Sequence, residues 1–418
     1  MTQRHGAPCF LSSRDTVVLV EHKTQRNWET DFDHTDPGYV ESIWDVTRDL
    51  RTRCPMAQAK VFGGFKVISR ADHVKAALTN PAVFISGAGI TLPDAAPPVR
   101  LIPAEIDGHR HRAYRTLVNR WLSPTAVRAR TGAVRAIVDE SIDLFAHRGH
   151  CEFVGEFAHP VAGAVIFMLM GLPRTEWQMI RSLFQSVLNA LGRDDREASD
   201  KAWAGMADYL EDHIVKRGEN PLDDMLTELA VARIEDRALN MSEKIGIAFE
   251  FFTAGQDTTA NAMALLAHHL AQHRSLQHRL RDDPRLIVEA IEEMLRWLGP
   301  VQTIARTAVQ ESEIGGSAVG RGERLALLIG SANRDESAFK NADHFDLDRP
   351  NKRQHIAFGY GVHSCAGMHL ARLELQLTFE RLLARLPDFE LDGSGDIHFA
   401  GGMIYGFSRL PLRFRPTT

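Results

Sequence analysis

The sequence predicts a mainly α-helical fold with a minor β part, and three observations carry that prediction. An apolar pattern of helical period persists from Met241 to about Leu270, unusually long for one helix. Helix-like segments succeed one another from Arg110 to Val215. The β-like runs are short, and they do not alternate with helices as a parallel doubly wound sheet requires.

The elements follow in chain order. Residues 1–40 are mixed and polar, with Pro37-Gly38 as a turn, and read as a loosely ordered N-terminal segment. "VFGGFKVISR" (Val61–Arg70) reads as a hairpin around Gly63-Gly64. Gly87–Gly108 is rich in Pro and Gly and predicts a long loop of the kind that serves as a binding loop or lid. "HRAYRTLVNRWL" (His111–Leu122) places Tyr114, Leu117 and Trp121 on one helical face. Further helices are predicted over 133–145, 161–170, 177–191 and 201–215. Ser242 is a candidate N-cap for the long central helix. "PRLIVEAIEEMLRWLG" predicts a helix opened by Pro284 and closed by Gly299. Short β-like runs follow at 301–309, 317–322 and 324–330, then a helix over Met368–Leu386 and β-like pieces near the C-terminus. No Pro/Gly/Ser-rich linker divides the chain, so residues 1–418 read as one domain.

Composition narrows the function. Apolar content of 44% and charged content of 25% are those of a globular protein with a sizeable core. A net charge of -5 gives no electrostatic reason to propose nucleic acid as a partner. No run approaches the ~18 apolar residues of a membrane span, and no secretory h-region opens the chain, so neither a membrane nor export is expected. Cys9, Cys54, Cys151 and Cys365 are widely spaced, which disfavours a disulfide framework or a structural zinc site and fits a reducing cytoplasm.

The densest chemistry lies in "AFGYGVHSCAGMHLAR" (Ala357–Arg372). Cys365 precedes a predicted helix, whose free N–H groups and partial positive charge favour a thiolate. No Lys-Ser or Lys-Thr follows the glycines, so this is not a Walker loop. No strand–turn–helix unit with a downstream acid supports a dinucleotide fingerprint. The readings left are a buried free thiol, a nucleophile with His363 as base, or a single thiolate on an iron whose other ligands come from a macrocycle.

"FGYGVHSCAG" matches the Phe-Gly-x-Gly-x-His-x-Cys-x-Gly loop of the cytochrome P-450 family at every defining position, and the following "LAR" is similar too. Three further segments agree in order and spacing. "EEMLR" resembles the family's buried Glu–Arg pair, here Glu293 and Arg296, which supports the fold and the cysteine loop. "AGQDTT" (Ala254–Thr259) resembles the segment of the central helix that crosses the haem's distal face. "HRAYR" with Arg306 in "TIARTA" resembles the residues that hold the haem carboxylates. One departure is visible: where the family often has Asp-Pro-Pro-Glu-His, this chain has "DGHRH" (Asp107–His111). The resemblance covers roughly Pro97 to Leu412.

The resemblance implies a cytochrome P-450 fold with small sheets near the N-terminus and before the cysteine loop. It implies a haem-thiolate monooxygenase that inserts one oxygen atom from O2 into a substrate. Cys365 would be the axial ligand of haem b, with Phe358, Gly359, His363 and Gly367 around it. His111, Arg115, Arg306 and His363 would meet the propionates. Ala254 and Gly255 would make room for dioxygen, and Asp257 and Thr258 would supply protons. The pocket would be lined by Phe251, Ala254, Val301, Ile304, Met403 and Ile404, which are mostly apolar and so predict a hydrophobic small-molecule substrate. With no flavin or iron–sulfur module in the sequence, electrons would come from a separate ferredoxin or flavodoxin with its reductase. Arg110, Arg112, Arg115 and Arg372 would form the docking patch of a monomer. A peroxide-driven peroxygenase and a non-catalytic haem-thiolate sensor are the alternatives; the Asp257–Thr258 pair favours the monooxygenase over both.

Overall fold

The computed structural model describes residues 26–94, 97–191, 195–393 and 396–417. The helices that matter for the site are α1 (Pro37–Arg53), α2 (Ala71–Thr79), α3 (Gly108–Leu122), α4 (His159–Met170), α5 (Trp177–Leu191), α6 (Met241–Gly255), α7 (Asp257–Gln272), α8 (Leu286–Leu298) and α9 (Met368–Arg385). Strands β1 (Met56–Ala59), β2 (Phe65–Ile68), β3 (Phe84–Ile85), β4 (Thr303–Ala308) and β5 (Arg324–Leu328) form the largest sheet.

Several sequence expectations are corrected. Of the N-terminal segment expected to be loose, residues 1–25 lie outside the described residues. Residues 26–40 are packed: Phe32 and Tyr39 are buried with ring centroids 4.9 Å apart, and Asp36 caps α1. Burial of two aromatic rings overrides the polar composition around them. The hairpin turns at Val61–Gly63, so its first strand is β1 rather than the stretch from Val61.

The two small sheets expected separately are one. Its order is β1-β2-β5-β4-β3. β2 runs antiparallel to β1 and parallel to β5, with Lys66 opposite Leu325, and β4 returns antiparallel to β5. Val67, Ile68, Ala326 and Leu327 have no exposed surface. Strands this apolar need cover on both faces, which joining the two pieces provides.

The central helix is capped two residues earlier than expected. Asn240, not Ser242, is the N-cap: its side chain accepts from Glu243 N at 2.9 Å, and Glu243 Oε2 accepts from Asn240 N at 2.9 Å. This reciprocal capping box satisfies two orphan donors at once. α7 is buried almost all round from Ala262 to Leu270, as a helix apolar on every face must be. α8 begins at Leu286, after a turn closed by Leu286 N to Asp283 O at 3.0 Å.

Candidate active site

The expected single central helix is two. Its hydrogen-bond ladder is interrupted between Gly255 and Asp257. Two residues account for the break. A Cβ on Gly255 would lie 2.4 Å from Ile166 Cδ1, so α4 crosses where only glycine fits. Thr258 Oγ1 donates to Ala254 O at 2.7 Å, giving that carbonyl a side-chain partner in place of a helical N–H. Gly255 was expected beside the cofactor; it faces α4 instead. Ala254, next to the end of α6, is exposed, whereas Phe251, Phe252 and Gln256 around it are buried. Asp257 and Thr258 project in different directions. The Asp257 carboxylate lies 3.5 Å from His159 Nδ1 on α4, and burial raises its pKa while Arg181 on α5 acts the other way.

The cysteine loop lies within electrostatic range of Glu250 on α6. Cys365 N donates to Phe358 O at 2.8 Å, and Gly359 N to Ile356 O at 2.8 Å, so the loop is folded tightly on itself. The thiol is surrounded by protein, yet Cys365 keeps an exposed surface. Accessible surface on Ala254 from one side and on Cys365 from the other marks a space between α6 and the loop. Burial pushes the thiol's pKa up; the Gly367 N–H and the guanidiniums of Arg115 and Arg372 oppose this. Gly367 sits at the N-cap of α9, so its amide is one of that helix's free donors. Arg372 also stacks over Phe358 at 4.5 Å.

Four cationic or donor side chains converge beside this space and find few acceptors. His111 and Arg115 lie one turn apart on α3, Arg306 lies on β4, and His363 belongs to the loop. The His111 and His363 rings are 4.2 Å apart. His111 Nε2 and His363 Nδ1 are buried without a hydrogen-bond partner. Arg306 is buried and donates only to the Ala305 carbonyl. Burial, then His363 and Arg115, lower the His111 pKa to about 4, and burial lowers Arg306 to about 10. Arg115 donates to Ser364 O at 2.5 Å and to Asn119.

An anion beside His363 is Asp107, which sequence reasoning did not single out. Its carboxylate accepts from Ser86 N and Gly87 N and lies 3.4 Å from His363 Nε2. The next residue, Gly108, has φ +66, which proline cannot adopt. The departure from a Pro-Pro entry to this helix is therefore a different backbone path with the same outcome, since His111 and Arg115 still face the loop.

Glu293 and Arg296 on α8 pair at 2.8 and 2.9 Å with no exposed side-chain surface. The structure adds Arg349, whose Nε lies 2.9 Å from Glu293 Oε1, and the Asn333, Ala342 and His344 carbonyls, which accept from Arg296. A second buried acid, Glu292, holds Arg372 at 2.6 Å and His355 at 3.3 Å. Arg372 is thereby paired with Glu292, although its side chain stays 30% exposed. Arg110 is engaged too, with Tyr114 and Glu243, whereas Arg112 is exposed. Glu292 and Arg349 carried only a weak sequence signal, an acid beside Glu293 and an arginine in an Asp-rich turn.

Of the expected pocket residues, Val301 and Ile404 form a β-bridge, Gln302 N donates to Met403 O at 2.8 Å, and Ile304 lies on β4; all four side chains are partly accessible. Phe251 is an exception. It is buried against Trp121, with ring centroids 6.2 Å apart, and belongs to the core.

A haem suits these residues on structural grounds. An enclosed thiol with accessible surface offers an axial ligand, and buried donors without acceptors await paired carboxylates.

Comparison with known proteins agrees. A family model described as Cytochrome P450 matches residues 162–398. Steroid C26-monooxygenase of Mycobacterium tuberculosis is 31% identical over 393 residues, covering 91% of this chain and 98% of that protein. Cytochrome P450-terp of Pseudomonas sp. is 31% identical over 324 residues, covering 74% and 75%. Among solved structures, CYP108D1 from Novosphingobium aromaticivorans superposes with a TM-score of 0.81 at 27% identity, covering 91% of this chain and 96% of that one. The bacillaene polyketide synthase cytochrome P450 PksS of Bacillus subtilis gives 0.83 at 27% identity, covering 91% and 98%.

Proposed function

This chain belongs to the cytochrome P450 family, and on that premise we propose which residues do what and which substrate and partner they serve. The class itself is that of its relatives: a haem-iron monooxygenase, an oxidoreductase that uses O2. Bound haem iron supplies the redox chemistry, in which two electrons, two protons and dioxygen give one inserted oxygen atom and one water.

Cys365 Sγ would hold the haem iron, and the Gly367 amide with Arg115 and Arg372 would hold the thiolate's negative charge. His111, Arg115, Arg306 and His363 bind the two propionates, which supply the acceptors these side chains lack. The haem is haem b, since the sequence has no Cys-x-x-Cys-His for covalent attachment. Thr258 holds a proton at Oγ1 above the site. Asp257, with His159 behind it, passes protons inward from the α4–α5 side. Ala254 leaves space over the site, and Val301, Ile304, Met403 and Ile404 exclude water from it.

The substrate is an apolar small molecule. Electrons come from a separate ferredoxin or flavodoxin, docking where Arg112 is exposed and the cysteine loop reaches the surface. No helix among the described residues is long and apolar enough to cross a membrane, in keeping with a monomer in the cytoplasm.

The observation that carries this reading is the accessible Cys365 thiol beside buried donors without acceptors. The test is the reduced carbon monoxide spectrum of the purified protein. A thiolate-type Soret shift is expected, lost in Cys365→Ser; a spectrum of the imidazole-ligated type would overturn it. For the partner, Arg112→Glu should slow reduction by ferredoxin at low salt and not at high salt.

A further inference from the structure

One acid in this site has no part in the proposed chemistry. Glu250 lies on α6 one helical turn before Ala254, so the two share a face. Three neighbours locate its side chain. It is within electrostatic range of Cys365 and Arg115 across the space, and of Glu105 on the loop before α3. That loop is pressed onto α6 one turn earlier: Ile102 N donates to Gly246 O at 3.2 Å, and a Cβ on Gly246 would lie 2.4 Å from Arg100 O. Glu250 is therefore enclosed between the loop, the helix and the cysteine site.

The carboxyl is unsatisfied. Glu250 Oε2 is buried with no hydrogen-bond partner, although the residue as a whole keeps some accessible surface. Arg115 is within electrostatic range but makes no hydrogen bond to it, its Nε and Nη1 donating to Asn119 and to Ser364 O. Glu105 brings a second acid rather than relief, its Oε2 accepting from Leu101 N at 3.1 Å. Burial, with Glu105 adding to it, raises the Glu250 pKa to about 7. Leaving such an oxygen unpaired in a buried wall is costly, and no protein group donates to it.

We propose that Glu250 is a specificity-determining residue that accepts a hydrogen bond from a hydroxyl or protonated amine on an otherwise apolar substrate. This rests on the monooxygenase reading of the same site and narrows its substrate class. Once ionised, Glu250 only accepts, and beside Glu105 it favours a donor group over a carbonyl. The position also fixes where the polar group sits, one helical turn along α6 from Ala254, so that oxidation falls on an apolar carbon away from it.

The test uses the haem-loaded protein and the low-to-high-spin shift of its Soret band, titrated with cyclooctanol, cyclooctanone and cyclooctane. Wild type should bind the alcohol about tenfold tighter than the hydrocarbon, the increment of one hydrogen bond to a carboxylate, and tighter than the ketone. Glu250→Leu should reduce the alcohol-to-hydrocarbon ratio to about one, and Glu250→Gln should keep part of it. The proposal is overturned if wild type does not favour the alcohol, or if Glu250→Leu keeps that preference. The reduced carbon monoxide spectrum, recorded on each protein, reports separately on the haem-thiolate reading.

Discussion

Two buried polar clusters in this molecule look alike in composition and differ in completeness. Around Glu293, each carboxylate oxygen and the Arg296 donors are occupied, by one another, by Arg349 and by three carbonyls. Around His111, Arg306 and His363, donors face one another and two ring nitrogens have no partner. A closed network of this kind holds the fold, because removing any member strands a buried charge. An open one stores a penalty that a ligand relieves. The difference separates a structural role from a binding role even though both clusters are arginine-rich and almost free of solvent.

The comparison breaks first at its closed half. Glu293→Gln should cost about 3–5 kcal/mol, the price of stranding buried partners, read as a lower urea midpoint; an unchanged midpoint would mean that completeness says nothing about role. The open half should respond with the opposite sign. Arg306→Leu removes an unpaired buried cation, so haem-free protein should be as stable or more stable, while haem affinity falls by about 1–3 kcal/mol, the scale of a lost charged hydrogen bond. Haem transfer to apomyoglobin measures the second quantity, and thermal unfolding the first.

Acid sharpens the contrast. The His111 pKa is about 4 in the fold, well below the ordinary imidazole value of about 6.5, so the unfolded chain takes up the proton first. Its contribution is present above pH 6.5 and is lost as pH falls towards 4, by up to about 1.4 kcal/mol per pH unit. The stability curve of haem-free protein should flatten over that window in His111→Asn. Gly255→Ala tests the helix break instead: the Cβ meets Ile166, and overpacking of about 1–3 kcal/mol is expected by calorimetry. Thr258→Ala should have the smallest effect on the fold, within about 0.5 kcal/mol. It should still lower the product formed per O2 consumed; unchanged coupling would remove Thr258 from proton supply.

The helices of the site were legible because apolar period and termini agree over long stretches, as in α3 and α8. The cysteine loop was legible because its residues are contiguous. What the sequence hid was partnership over distance. Nothing in "EEMLRWL" points to Arg349, and nothing local tells that Arg372 answers to Glu292. Gly255 looked like room for a ligand and proved to be room for a neighbouring helix. Nothing in the sequence around Glu250 points to Glu105, which lies some 145 residues earlier and within electrostatic range. The break at Gln256 was invisible for the same reason, since a ladder interrupted by one crossing residue keeps its apolar rhythm.

The pairing of β2 with β5 reaches beyond architecture into biosynthesis. Lys66 waits for Leu325, about 260 residues later. At roughly 5–20 residues per second, a ribosome needs on the order of 13–50 s to deliver that partner. Until then one edge of the β1–β2 ribbon, bearing Val67 and Ile68, is open to any passing strand. Cys365 emerges later still. The nascent chain therefore becomes competent for its metal only after residue 365 has emerged, and an earlier stop leaves a sticky ribbon rather than a smaller enzyme.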